Sequence, residues 1–254
     1  MKIFDLHTHS TYSDGPTGVD YIVKKAKEKG YKAGISDHLF SNGLNTLADI
    51  ERYLNDLREY DVYIGGEANI GEEFIMPDKV RNKFDYLIAS VHSVPDGYGG
   101  RIPLSRYFSY RGGFRDRWEN QYDHSDPMKY LYWALNDVEN FFREHKPDIY
   151  GHPTVLPFYE DMLNDSQEII DWEKSIVSLC RKYNVALELS GLWRAPNERV
   201  VQLAIQEGVK ISLGSDCHRV DGVCDLDYPL MIVDKLEITE DMMFIPQYRG
   251  MRGE

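Results

Sequence analysis

The sequence predicts a parallel α/β fold whose strands close into a barrel-like cup, with a polynuclear metal site at its mouth. Two observations carry this. Short apolar runs alternate with amphipathic helical windows along the 254 residues, the signature of repeated strand–helix units. Residue types that bind metals then recur beside successive predicted strands: His7, His9, Asp14, His38, Glu67, His92, His152, Asp216 and His218. A lone His-x-His is weak evidence, but unrelated histidines have no reason to keep falling at strand ends.

Strands are expected at 2–6, 32–36, 62–66, 85–89, 148–151, 185–189 and 210–214, seven in all. Helices lie between most of them. Val19, Ile22, Val23 and Ala26 mark the first helix face, and Gly30 stops that helix because glycine tolerates the left-handed turn at a helix end. Leu47, Ile50, Leu54 and Leu57 mark the second. Ile169, Ile170, Ile176, Val177 and Leu179 mark a later one, with Ser166 as its N-cap. One stretch, 95–126, shows no clean period and is dominated by Gly, Tyr and Arg. It is expected to be a loop insertion beside the mouth, either surface decoration or a substrate lid. With no linker or internal repeat, the expectation is a single domain over 1–254.

Composition narrows the function classes. A net charge of -13 opposes a surface that coats nucleic acid, which needs basic patches. It leaves room for a small phosphorylated substrate, because bound cations invert the sign of the field locally. Cys180, Cys217 and Cys224 are odd in number and lack the CxxC spacing, which fits a reducing compartment. The chain starts with a strand, shows no signal-peptide pattern and has no apolar run long enough for a bilayer, so a cytoplasmic location is expected.

In a parallel barrel all strand C-termini face one way, and active sites gather there. His7 and His9 share a side because strand side chains alternate with period two. Taken singly, each residue has a plainer reading. His7 or His92 could be a hydrogen-bonded core histidine, Glu67 an ion-pair partner, Asp14 a turn residue, and Asp37 a group that orients a neighbouring histidine. Taken together, the plain readings would need repeated coincidence. Imidazole and carboxylate donors suit zinc, manganese or iron. His124 and His145 stand outside the pattern, the latter near a helix C-terminus that favours its charge.

The runs Asp5-Leu6-His7-Thr8-His9-Ser10, Ser36-Asp37-His38, Gly66-Glu67, Ser90-Val91-His92, Gly151-His152-Pro153 and Gly214-Ser215-Asp216-Cys217-His218 resemble, in order, the PHP (polymerase and histidinol phosphatase) family. The resemblance implies a distorted (β/α)7 TIM-like barrel holding two to three divalent metal ions. It implies a first metal on His7, His9, Glu67 and Asp216, and a second on Glu67, His92 and His152. A third would rest on Asp14, His38 and His218.

The reaction expected of such a site is phosphomonoester hydrolysis, with a metal-bridging hydroxide attacking phosphorus. Asp216, His218 or a metal-bound water would protonate the leaving oxygen. Arg194, in Ser190-Gly191-Leu192-Trp193-Arg194, and Arg219 resemble phosphate-contacting arginines of the histidinol phosphatase branch. Guanidinium suits that duty by its bidentate geometry. Arg101, Arg106, Arg111, Arg115 and Arg117 are weaker candidates. The specific substrate expected is L-histidinol phosphate, whose amine would meet Glu72, Glu73, Asp96, Glu160 or Asp161. The alternatives are a general phosphoesterase for nucleotides or sugar phosphates, a non-catalytic accessory module, and an amidohydrolase. No lysine sits at a strand end to serve the last. The oligomeric state is not legible.

Overall fold

A computed structural model describes residues 1–105, 122–163 and 166–248. Its strands are β1 (Phe4–Asp5), β2 (Lys32–Ile35), β3 (Tyr63–Ile64), β4 (Glu67–Ile70) and β5 (Ile88–Val91). They continue with β6 (Ser93–Pro95), β7 (Arg101–Pro103), β8 (Ile149–Tyr150), β9 (Ala186–Ser190) and β10 (Ile211–Gly214). The helices are α1 (Val19–Lys29), α2 (Leu47–Leu57), α3 (Asp78–Arg81) and α4 (Met128–His145), followed by α5 (Gln167–Tyr183), α6 (Glu198–Gln206) and α7 (Asp227–Lys235).

Two parallel sheets, ordered β1-β2-β3 and β10-β9-β8-β5-β4, carry the fold. Hydrogen bonds join them on two sides, from the end of β1 to β10 and from the end of β2 to β4. On one side the Leu6 amide donates to Leu213 O (2.9 Å) and the Asp216 amide to His7 O (2.7 Å). On the other the Glu67 amide donates to Asp37 O (3.0 Å) and the Leu39 amide to Glu67 O (2.8 Å). Of the expected strand 62–66 only 63–64 is strand, as β3; Gly65–Gly66 follow, and β4 opens beyond them at Glu67. The expected strand 85–89 lies further along, at Ile88–Val91, because Asp85 and Tyr86 have other duties. Asp85 accepts from the Ile64 amide, and the Tyr86 hydroxyl donates to Leu6 O (2.6 Å).

Tyr86 belongs to a small apolar cluster with Phe4, Leu6, Ile88, Ile149 and Ala186, separate from the main helix-facing core. Room for its ring exists because Gly34 and Gly65 lack side chains: a Cβ at either would overlap Tyr86. Gly34→Ala is therefore expected to cost about 1–3 kcal/mol through overpacking, readable as a shifted denaturation midpoint. Unchanged stability would show that the ring moves freely.

The helix boundaries follow local chemistry. Gly30, at φ 75°, accepts the left-handed end of α1. Thr46 and Asp49 form a reciprocal capping box on α2, and the Ser166 hydroxyl accepts from the Ile169 amide at the start of α5. The insertion expected as an unstructured loop begins instead as an antiparallel hairpin, with Ser93 paired to Pro103 and Pro95 to Arg101. Asp96 closes it by accepting from the Tyr98 and Gly100 amides. Arg106, Arg111, Arg115 and Arg117 lie outside the described residues. No helix among the described residues is long and apolar enough to cross a membrane.

Candidate metal centre

The expected residues meet in one place, all but Glu67 in the segments that follow β1, β2, β5, β8 and β10. Glu67 opens β4 at its junction with the end of β2, where it pairs with His38 across a parallel bridge. Its two carboxylate oxygens are ringed by imidazoles. Oε1 lies 3.3 Å from His7 Nε2, 3.3 Å from His92 Nε2 and 3.4 Å from His152 Nε2. Oε2 lies 2.9 Å from His38 Nδ1 and 3.6 Å from His9 Nε2. Asp216 Oδ1 adds contacts of 3.3 Å to His9 Nε2 and 3.4 Å to His218 Nδ1. Asp14 closes the outer side, 3.6 Å from His38 and 3.5 Å from His218.

These atoms are close without being satisfied. Both Glu67 oxygens, His9 Nδ1, His38 Nδ1 and His152 Nδ1 are buried with no hydrogen-bond partner, the 2.9 Å approach of His38 to Glu67 having the wrong direction for one. A buried carboxylate without partners is costly. Lone pairs converging on shared space are what a divalent cation requires, so the donor set fits the metals that such residues imply. Among the described residues three compatible groups exist: His7, His9 and Asp216; His38, Glu67 and His92; and His9, Asp14, His38 and His218. His9 and His38 each stand in two of them, so neighbouring positions share walls.

The electrostatics are those of interleaved anions and imidazoles. Burial alone would raise the Glu67 carboxyl; His92, His7 and His38 more than offset this and hold it well below the usual range. Burial likewise opposes ionisation of Asp216, and His7, His9 and His152 overcome it. His9 is pushed down to about 4, first by burial and then by its histidine neighbours. His218 loses some basicity to burial but gains more from Asp14 and Asp216, and rises to about 9.

Around this centre stand residues that sequence reasoning missed. Glu188, in the middle of β9, bonds His7 Nδ1 at 2.7 Å and accepts from the His152 amide at 2.6 Å. A second oxygen partner, Asn69 Oδ1, holds His92 Nδ1 at 2.7 Å. Each fixes the ring so that Nε2 faces Glu67. The available signal was a glutamate inside the apolar run Val185-Ala186-Leu187-Glu188-Leu189, where a charge needs a reason. Asp5 is also buried, accepts from the Ser215 amide, and is pushed by burial up to about 7. Asp37 does not orient a histidine: it accepts from the amides and hydroxyls of Ser10 and Ser13 and shapes the loop carrying Asp14.

A cavity of about 590 Å³ opens over the centre, lined by Asp14, His38, His92, His152, Asp216 and His218 together with Asn69, Glu72, Leu104, Leu192 and Trp193. No Lys or Arg lines it among the described residues. Arg219 is exposed and paired with Asp221 at 3.0 Å. Arg194, in a left-handed conformation (φ 51°), lies over the Tyr228 ring and lines an adjoining cavity of about 250 Å³ beyond Leu192 and Trp193. Arg101 is structural, bound to Ser93 and Asp137. Of the acidic residues expected near the mouth, Glu72 lines the main cavity and Glu160 the adjoining one, while Asp96 is committed to its turn. His124 and His145 pack on Phe158 and on Phe74 and Phe141, away from the centre.

The chain is similar to several known proteins. The chain is 24% identical over 216 residues to the DNA polymerase III subunit alpha of Aquifex aeolicus, covering 72% of this chain but only 17% of that protein. It is 24% identical to a "Probable phosphatase" of Clostridium acetobutylicum, covering 95% of this chain and 89% of the other. Among solved structures, the histidinol phosphate phosphatase of Lactococcus lactis, crystallised with zinc, L-histidinol and phosphate, superposes with a TM-score of 0.60 at 19% identity. That alignment covers 95% of this chain and 98% of the other. A family model for the PHP domain matches residues 5–191, which hold the first seven of the nine converging residues; on that match the chain belongs to the PHP domain family.

Proposed function

We propose that this chain is a phosphomonoester hydrolase working with two to three divalent cations, zinc, manganese or iron. The observation that carries the reading is Glu67, a buried carboxylate with two unpartnered oxygens inside a ring of five imidazoles. We read the two sheets, bonded to one another on two sides, as one distorted (β/α)7 barrel and the chain as a single domain. His7, His9, Glu67 and Asp216 would hold one cation, Glu67, His92 and His152 a second, and Asp14, His38 and His218 a third. Such cations, when bound, neutralise phosphate charge and make water a competent nucleophile near neutral pH.

The chain's own residues do the rest. Glu188 and Asn69 fix the orientation of His7 and His92, and so determine which nitrogens face the substrate side. Asp216 and His218 both line the open cavity. Despite its burial, Asp216 is held ionised by its histidine neighbours and has no proton to give, so His218 is the side chain that could hand one to the leaving oxygen when it is not holding a cation. Arg219 follows His218 directly; its pairing with Asp221 is fully exposed and screened by solvent, weak enough for a phosphate to replace it. Arg194 would meet the substrate's phosphate only from the adjoining cavity, around Trp193.

L-Histidinol phosphate is the substrate we favour. A solved protein of similar fold, 19% identical, is a histidinol phosphate phosphatase, and Glu72 offers the main cavity a carboxylate for the substrate's amine. Hydrogen bonds from Asn69 (2.9 Å) and Ser93 (3.3 Å) hold Glu72 in place. Three buried cysteines without disulfides accord with a cytoplasmic setting. The decisive experiment is phosphate release from p-nitrophenyl phosphate with manganese, zinc or iron added. Absence of release from folded, metal-loaded protein would sink the phosphatase reading. For the substrate, kcat/KM for histidinol phosphate is expected to exceed that for nucleotides and sugar phosphates. Glu72→Gln should reduce that advantage about tenfold or more, the order expected when a charged hydrogen bond is lost, while leaving p-nitrophenyl phosphate turnover nearly unchanged. Equal kcat/KM across the panel would reject the substrate assignment and leave a general phosphoesterase.

A further inference from the structure

We infer that Trp193 is a positioning residue for the metal centre, using its indole N–H to fix which oxygen of Asp216 faces the cations. The inference rests on the reading of Asp216 as a metal ligand. Trp193 Nε1 donates to Asp216 Oδ2 at 2.7 Å. The other oxygen, Oδ1, is the one that faces His9 Nε2 at 3.3 Å, His218 Nδ1 at 3.4 Å and His7 Nε2 at 3.8 Å. One oxygen is therefore held by the indole and one is turned to the imidazoles. Such division favours a monodentate carboxylate of fixed orientation, and partners of this kind tune metal affinity.

The backbone explains why a clamp is needed and how it is held. Asp216 sits in the left-handed region at φ 51°, a strained conformation for a residue other than glycine, so its side chain leaves the chain at an angle that strand geometry would not give. The loop that carries Trp193 is tied to the same strand end. Gly191 N donates to Gly214 O at 2.8 Å and Leu192 N to Ser215 O at 3.1 Å, while Ser190 and Ala195 close the loop by mutual bonding. Clamp and ligand thus share one scaffold. The indole ring also stands 6.2 Å from the His152 ring, so one side chain borders two proposed ligands. It forms the wall between the two cavities as well, lining both.

The test is metal titration of the chelator-stripped protein with Mn²⁺ alone, comparing the parent with Trp193→Phe and Trp193→His. Phenylalanine keeps an apolar ring and loses the donor; histidine restores a ring N–H. Trp193→Phe is expected to weaken Mn²⁺ binding about 10–100-fold at one equivalent, with p-nitrophenyl phosphate turnover recovering as Mn²⁺ is raised. Trp193→His is expected to regain part of the affinity. Parental affinity in Trp193→Phe would overturn the inference, as would equal weakening in both variants, which marks simple packing. Asp216→Asn separates the two readings: if it keeps the full metal count, the assignment of Asp216 as a ligand fails, and the inference with it.

Discussion

Glu67→Gln is expected to lose at least one equivalent of bound metal and to lower kcat by more than about 100-fold, beyond what losing an outer hydrogen-bond partner costs a metal site. The exchange preserves shape and removes one charge. It also replaces an acceptor oxygen by an NH₂ group aimed at imidazole nitrogens or at a cation. A factor of 100 corresponds to about 2.7 kcal/mol of lost transition-state stabilisation. Glu67 warrants this expectation because it touches His7, His9, His38, His92 and His152, and because its two oxygens find no hydrogen-bond partner among the described residues. Metal analysis of the purified variant, beside turnover of p-nitrophenyl phosphate, checks it. Full metal content with parental kcat would mean that Glu67 does not bridge.

The second large effect concerns metal removal and its pH dependence. Stripping the cations should abolish activity and lower the melting temperature. A free metal concentration 1,000-fold above Kd stabilises the fold by about 4 kcal/mol, roughly 10 °C for a domain of this size. His218 sets the direction of the pH effect. In the metal-free protein Asp14 and Asp216, against the opposing effect of burial, lift it from 6.5 to about 9. A histidine whose pKa is raised by folding contributes stability that is full below pH 6.5 and lost as pH rises through about 9. The same proton competes with a metal for the imidazole, so affinity should climb with pH across that window, by up to about tenfold per unit for one proton. The difference in melting temperature between metal-loaded and metal-free protein is therefore expected to widen from pH 6.5 to 9. A constant difference would remove His218 from the ligand set. His9 acts at the acid end: burial depresses it to about 4, so the metal-free fold loses stability as pH falls from 6.5 through that value.

The strands were legible because each is a short apolar run ended by a polar residue, and β2, β8, β9 and β10 lie within a residue or two of where the pattern predicts them. The departures have a shared cause. The break between β3 and β4 and the displacement of β5 both follow from Tyr86, whose ring needs the space beside Gly34 and Gly65 and whose hydroxyl bonds Leu6. A periodic pattern reports which face a residue occupies. It does not report that a distant side chain will fill the gap left by a glycine. The hairpin Ser93–Pro103 escaped for a simpler reason: its strands are three residues each, too short to show a period.

The same division runs through the site. Local chemistry alone fixed which residues could bind a metal and that they lie at strand ends, since a parallel sheet turns every strand C-terminus toward one face. It could not fix direction or partnership. Arg194 stands at the right strand end, yet its left-handed backbone sends the guanidinium over Tyr228 and into the adjoining cavity. Glu188 lies 181 residues from His7, and Trp193 23 residues from Asp216; neither contact has a local signature. The sequence by itself determined which residues could serve as metal donors and that they gather on one rim. Only the tertiary structure decided which nitrogen of each histidine faces inward, which oxygen of Asp216 does, and which cations stay away. Those outcomes depend on contacts between chain segments far apart in sequence, whose distances no spacing rule encodes.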